Sequence, residues 1–68
     1  MQKIKIHTNY IKLGQFLKWA GIADSGSDAK RILAEGIVKV DGDVEIRRGR
    51  KLRKGNIVEV FGKEYEIE

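Results

Sequence analysis

The chain has 68 residues and no cysteine, 41% of its residues are hydrophobic and 35% charged, and its formal net charge is +4. These values exclude a disulfide scaffold, a thiolate nucleophile and a cysteine zinc site, and the chain is too apolar to be classed as disordered. No stretch reaches the roughly 18 apolar residues of a membrane span, and the first residues lack the apolar core of a signal peptide. We therefore expect one cytoplasmic domain over residues 1–68.

A strand and a helix are predicted for the first part of the chain. Ile4 and Ile6 alternate with polar residues, which is the period-2 pattern of a strand. Four apolar residues recur at helical spacing and share one face: Leu13, Phe16, Leu17 and Ala20. We expect helix one over about residues 11–20, with Thr8-Asn9 available as a cap and Gly21 as its left-handed stop.

The other face of helix one carries Lys12, Gln15 and Lys18. Trp19 lies at the edge of the apolar stripe and leaves two interpretations open. It either anchors the core, which is the more usual role in so small a protein, or stacks on an unpaired base. Gly14 weakens the helix by about 1 kcal/mol relative to alanine, which indicates a close neighbour or a tolerated flaw.

A second helix is predicted to begin at Ser25. Ser25 and Asp28 have the spacing of a capping box, with aspartate in place of the usual glutamate, and Gly36 ends the helix. The buried stripe consists of Ala29, Ile32 and Leu33, and the opposite side carries Ser27, Lys30 and Arg31.

The rest of the chain has the period of strands. Asp41-Gly42 predicts a type I′ hairpin turn between strands whose apolar residues are Val38, Val40, Val44 and Ile46. Two further strands over 57–61 and 64–68 flank a turn at Gly62-Lys63. Lys3 and Lys5 of the first strand are candidates to pair with the glutamates of the last one, at 64, 66 and 68.

The positive charge is concentrated in residues 47–54, which we call the basic segment. It holds six cations in eight positions, whereas the remaining chain has eight basic and ten acidic residues. Such a patch is the usual footprint of a polyanionic partner; the alternative is a solvated loop that is charged for solubility. The six cations are Arg47, Arg48, Arg50, Lys51, Arg53 and Lys54.

Nothing in the sequence supports catalysis. His7 is the one histidine and falls in the predicted first strand, while Ser25 and Ser27 have no histidine in their segment to activate them. Asp41-Gly42-Asp43 matches the start of a calcium loop, but the remaining ligands are missing and a hairpin explains it better. We expect no enzyme activity, no cofactor and no metal.

Taken in order, these motifs resemble the S-four RNA-binding domain, also called the αL motif. The resemblance covers residues 12–60 and rests on Lys12-Leu13-Gly14, Leu17, Gly21-Ile22-Ala23, Ser25-Gly26-Ser27, Ala29, and the stretches 36–42 and 55–58. Lys12 replaces an arginine of the family pattern, Gly14 an aspartate, Gly26 a second arginine and Asn56 another aspartate. The Ser-Gly pair and the basic segment are similar to those of the small stand-alone bacterial members of the family. This resemblance implies that the basic segment makes up for the arginine that Gly26 replaces.

The resemblance implies an α+β fold with two short helices on a small, mostly antiparallel, twisted sheet. It also implies a protein that binds structured RNA, with ribosomal RNA or a ribosome-assembly particle as the partner. We expect the protein to be monomeric. By resemblance, the RNA surface contains Lys12, Ser27, Lys30, Arg31 and Lys39, beside the cations of the basic segment.

Two other functions remain open. A duplex-DNA binder would use the two helices as a helix-turn-helix, although helix two offers few side chains for base edges. A protein–protein adaptor would dock the basic segment on an acidic partner.

Overall fold

The computed structural model describes residues 1–68, which form two helices and seven short strands. The helices are α1 (Leu13–Trp19) and α2 (Gly26–Ala34). Neither has the length and apolar composition needed to cross a bilayer. The strands are β1 (Gln2–Ile4), β2 (Ile11–Lys12), β3 (Lys39–Val40), β4 (Asp43–Val44), β5 (Lys51–Leu52), β6 (Ile57–Val60) and β7 (Lys63–Ile67).

Five of the strands form one sheet in the order β1-β7-β6-β3-β4, and β2 pairs with β5 in a separate two-stranded ladder. All pairs are antiparallel except β1 with β7. The predicted α+β class with a mostly antiparallel sheet is therefore confirmed. Lys3 lies opposite Glu66, but every ion pair of the structure belongs to Arg31, Arg47 or Arg50. The predicted lysine–glutamate ion pairs do not form, because the small Coulomb energy of an exposed pair is offset by the side-chain entropy lost in holding it.

The core lies between the helices and the large sheet. The apolar stripes of both helices are buried as predicted, except that Ala20 is only half-buried. Phe16 of α1 meets Tyr65 of β7 edge to face, with ring centroids 5.6 Å apart, a favoured geometry for aromatic pairs. The sheet contributes Val40, Val58, Val60, Tyr65 and Ile67 to this core.

Helix α2 begins and ends as its sequence predicts. The Ser25 hydroxyl accepts a hydrogen bond from the Asp28 N–H at 3.1 Å, and Gly36 follows the helix with a φ of 73°. In a capping box, the side chain three residues into the helix also accepts from the backbone N–H of the cap residue. Here the Asp28 carboxylate accepts instead from the N–H of Asp24, one residue before Ser25.

Both hairpin regions differ from expectation in detail. Asp41 and Gly42 have the positive φ of a type I′ turn, as predicted, but the second turn is at Phe61 and Gly62 (φ 53° and 74°), one residue earlier than expected. After the first turn, the expected burial is inverted: Val44 and Ile46 are exposed and Glu45 is buried. Strand β4 is an edge strand, and the buried carboxylate is satisfied by arginines of the basic segment.

Candidate nucleic-acid interface

The basic segment is fixed to the first turn of α1 by backbone hydrogen bonds. The first N–H groups of a helix have no acceptor within it. Here the Leu13 N–H donates to the Arg50 carbonyl at 2.8 Å, and the Gly14 N–H donates to the Arg48 carbonyl at 3.0 Å. These carbonyls replace a side-chain cap, so Thr8-Asn9 does not cap α1. Residues 11–12, expected in the helix, instead form β2 against β5.

Gly14 allows this close approach. The residue is buried, and a Cβ placed on it would lie 3.3 Å from the Cβ of Arg48. Of the two explanations for a glycine inside the helix, the close neighbour is therefore the right one. The contact holds Arg48 beside the face of α1 that carries lysines.

A shallow groove, which we call the basic groove, lies between α1, the start of α2 and the turn at residues 48–49. Three cations line it, Lys12, Lys18 and Arg48, and none of them is in an ion pair. No carboxylate lines the groove, so its positive charge is uncompensated. The remaining lining residues are Gly14, Gln15, Gly26, Ala29 and Gly49.

Glu45 organises the other side of the basic segment. Its carboxylate accepts hydrogen bonds from the Arg47 Nε and Nη2, both at 3.0 Å, from the Arg50 Nη1 at 3.2 Å, and from the backbone N–H of Ile46 and of Arg47. The side-chain bonds from Arg47 and the other donors outweigh desolvation and lower the pKa of Glu45 to about 2. Two of the arginines predicted to bind phosphate are therefore already paired with a carboxylate.

Arg31 of α2 is also engaged. Its guanidinium lies 2.7 Å from Asp28 Oδ1 and 2.9 Å from Glu35 Oε1. The backbone N–H of Asp24 and the side chain of Arg31 lower the pKa of Asp28, so a negative charge occupies the beginning of α2. This arrangement disfavours a bound phosphate at that helix end.

Two aromatic side chains line a second groove, the aromatic groove, which borders the first. Trp19 is 57% exposed and Tyr10 is 36% exposed, so the expectation that Trp19 anchors the core is wrong. The helix positions Trp19 outside the stripe that faces the sheet, and Phe16 and Leu17 fill the core instead. The aromatic groove is lined by Thr8, Asn9, Tyr10, Ile11, Gln15 and Trp19.

The structure divides the predicted RNA-binding residues into distinct groups. Lys12 and Arg48 line the basic groove; Arg47, Arg50 and Lys51 border a separate hollow on the outer side of the 48–49 turn. Lys51 and Arg53 approach the ring of Tyr10. The other predicted residues are exposed and line neither groove: Ser27, Lys30, Arg31, Lys39 and Lys54.

Sequence reasoning missed several residues of these grooves. Gln15, Lys18 and Gly49 were not predicted as site residues, although Lys12, Gln15 and Lys18 were placed on one face of helix one. The helical spacing of these three residues was the signal in the sequence that could have identified Gln15 and Lys18. The role of Glu45 had no such signal, because its alternation with Val44 and Ile46 predicts an exposed acid.

The sequence model of the S4 domain family matches residues 4–68. The chain belongs to the S4 domain family. The resemblance recognised over residues 12–60 is thereby confirmed and extends to β1 and β7.

Two bacterial relatives of similar length contain this S4 domain. A Bacillus subtilis (strain 168) protein named "Probable ribosome maturation protein RlbA" is 49% identical over 59 residues, which cover 87% of this chain and 83% of RlbA. The solution structure of YbcJ from E. coli superimposes with a TM-score of 0.72 and 35% identity, covering 98% of this chain and 86% of YbcJ. That structure is described as having an αL motif involved in RNA binding.

The S4 domain also matches part of a larger enzyme. It is 42% identical over 53 residues to a tyrosine–tRNA ligase of Ralstonia nicotianae, and the match covers 78% of this chain but 14% of the ligase. The similarity to the ligase is thus confined to a small part of that enzyme.

Proposed function

We propose that this S4 domain binds structured RNA and that the basic groove is the main phosphate site. The observation that carries the proposal is the convergence of Lys12, Lys18 and Arg48 on a groove with no carboxylate. Unpaired cations in one concave surface attract a polyanion and release its counterions on binding. The hydrogen bond from the Gly14 N–H to the Arg48 carbonyl fixes the backbone of Arg48 at the edge of the groove.

The three cations contribute differently. Lys12 and Lys18 act as point charges, whereas the planar guanidinium of Arg48 can donate two parallel hydrogen bonds to one phosphate. Such contacts set position and orientation but carry no sequence information. Recognition therefore depends mainly on the shape of the RNA.

The relatives support a ribosomal partner. RlbA is named for ribosome maturation, and YbcJ is described with an RNA-binding motif. We propose ribosomal RNA or a ribosome-assembly particle as the target of this chain. It would act in the cytoplasm as a monomeric, non-catalytic domain over residues 1–68. The ion pairs of Arg31 with Asp28 and Glu35 disfavour the alternative in which α2 reads the major groove of duplex DNA.

The paired substitution Lys12→Ala and Lys18→Ala tests the site. Each lost phosphate contact removes about 0.7–0.9 from the slope of log affinity against log salt. We expect weaker binding to a structured ribosomal RNA fragment and a slope reduced by about 1.4–1.8. Fluorescence anisotropy with labelled RNA across a salt series gives both values, and duplex DNA measured in parallel separates RNA recognition from general polyanion binding.

The matched control is Lys3→Ala with Lys63→Ala. It removes the same charge from β1 and β7, where both lysines are exposed and outside the basic groove. Equal losses in the two double variants would show that net charge alone matters, and the assignment of the groove would be wrong.

A further inference from the structure

We propose that Tyr10 and Trp19 form a stacking site for an unpaired nucleobase of the bound RNA. This inference rests on the proposed RNA binding and adds the kind of RNA feature that is recognised: a base outside the stem, next to the phosphates in the basic groove.

Two large aromatic rings are exposed in one groove. Trp19 is 57% exposed and Tyr10 36% exposed, while Phe16 and Tyr65 fill the core of the same small domain. The core therefore does not account for Trp19. Aromatic faces of this kind accept stacked bases, with little dependence on which base is bound.

The two grooves are neighbours on the surface of α1. Gln15 lines both of them, and Lys18 of the basic groove immediately precedes Trp19 in the chain. A strand whose phosphates contact Lys12 and Lys18 is thus brought beside the aromatic groove. A base that is paired in a stem cannot enter this groove, whereas an unpaired base can.

Two cations lie over the ring of Tyr10. The Lys51 Nζ lies 4.9 Å and the Arg53 Cζ 5.7 Å from the centre of its ring. Cations at this distance are attracted to the face of the ring. Because these cations lie over the ring of Tyr10, the exposed ring of Trp19 offers the main stacking face. A nucleotide that stacks there also carries a phosphate with which the two cations can pair. A purely apolar partner would leave the two cations without a counter-charge.

The remaining lining residues can contact the edge of a base. The amides of Asn9 and Gln15 each carry a donor and an acceptor, and both residues line the aromatic groove. The Thr8 hydroxyl donates to the Tyr10 carbonyl at 2.7 Å, which fixes the short loop that carries Asn9 and Tyr10.

The test compares two hairpin RNAs that are identical except for one unpaired nucleotide beside the stem. Trp19 is the one tryptophan of the chain, so its fluorescence reports on this site alone. We expect the wild-type protein to bind the hairpin with the unpaired nucleotide about ten-fold more tightly, because that base adds a stacking contact to the phosphate contacts. We also expect that RNA to quench Trp19 more strongly.

Variants separate stacking from charge. Trp19→Ala is expected to bind both hairpins with equal affinity and an unchanged salt slope, and Trp19→Phe to keep part of the preference. Phe61→Ala is the matched control, since Phe61 is an exposed aromatic residue in the β6–β7 turn, outside both grooves. Lys12→Ala with Lys18→Ala should weaken binding to both hairpins and keep their ratio.

The outcomes distinguish this inference from the function on which it rests. If the wild-type protein binds both hairpins equally and Trp19→Ala changes neither affinity, the stacking site is wrong while RNA binding stands. If the wild-type protein binds neither hairpin nor ribosomal RNA, the proposed function fails and the stacking site fails with it.

Discussion

At the scale of single residues, Glu45 is the acid around which the basic segment is built. It is only 8% exposed, and its carboxylate holds Arg47 and Arg50 within hydrogen-bonding distance. A buried carboxylate is stable when its oxygens are satisfied by charged donors. Glu45 therefore neutralises part of the positive charge of the basic segment and fixes the backbone between β4 and β5.

Glu45→Gln is expected to lower the melting temperature at pH 7 by about 4–8 °C, which corresponds to about 1 kcal/mol in a domain of this size. The amide cannot accept the same set of hydrogen bonds from Arg47 and Arg50. Thermal unfolding followed by circular dichroism measures the shift. Glu64→Gln is the matched control, because Glu64 is exposed and forms no ion pair, and it should change the melting temperature little.

The same substitution gives a pH dependence with a defined sign. The pKa of Glu45 is lowered from 4.5 to about 2, so its contribution to stability is fully present above about pH 4.5 and is lost as the pH falls toward 2. The difference in melting temperature between wild type and Glu45→Gln should therefore narrow over this range. A constant difference from pH 7 down to pH 2 would contradict the role assigned to the Glu45 carboxylate.

Sequence reasoning at this scale succeeded where a residue acts within its own turn of the chain. Ser25 caps α2, and Gly36, Asp41 and Gly42 adopt the predicted positive φ. It failed where the exposure of a side chain depends on how its surroundings fold and pack. The burial of Glu45 depends on arginines further along the chain, and the exposure of Trp19 depends on which residues already fill the core.

At the scale of elements, the first turn of α2 borders the basic groove with a residue that has no side chain, Gly26. Gly26 lines that groove, and a Cβ placed there meets no atom within 4 Å. The family pattern has an arginine at this position. The chain therefore has room for a fourth groove cation that its own sequence lacks.

Gly26→Arg is expected to tighten binding to structured RNA and to make the salt slope steeper by about 0.7–0.9, the value for one added phosphate contact. Ala34→Arg is the matched control, as it adds the same charge to the exposed far end of α2. Fluorescence anisotropy titrations of both variants against the same RNA, across a salt series, give the affinities and salt slopes to be compared. A gain that is as large for Ala34→Arg would indicate a general charge effect.

The two helices were predictable because their apolar stripes and stop signals are local. The start of α1 was not, because β5, some 40 residues later, pairs with residues 11–12 and removes them from the helix. The carbonyls of Arg48 and Arg50, just before β5, accept from the first N–H groups of α1. The basic groove was missed as a unit for the same reason. Its members lie on α1, α2 and the 48–49 turn, and only the tertiary fold brings them together.

At the scale of the whole molecule, β7 holds the large sheet together. It lies between β1 and β6, and its Ile67 is fully buried. Ile67→Ala should cost about 2–5 kcal/mol, most of the stability that one small core supplies. Ile4→Ala on the edge strand β1, where the side chain is only half-buried, should cost clearly less. Urea unfolding of the two variants measures the difference, and equal losses would contradict the central role of β7.

The position of β7 also has a consequence for synthesis on the ribosome. An inner strand of the sheet is made from residues 63–67, after both helices and all its sheet neighbours have been translated. Until these residues leave the exit tunnel, β1 and β6 have no strand between them, and the core lacks Tyr65 and Ile67. The large sheet therefore cannot close between β1 and β6 before residues 63–67 are available to it.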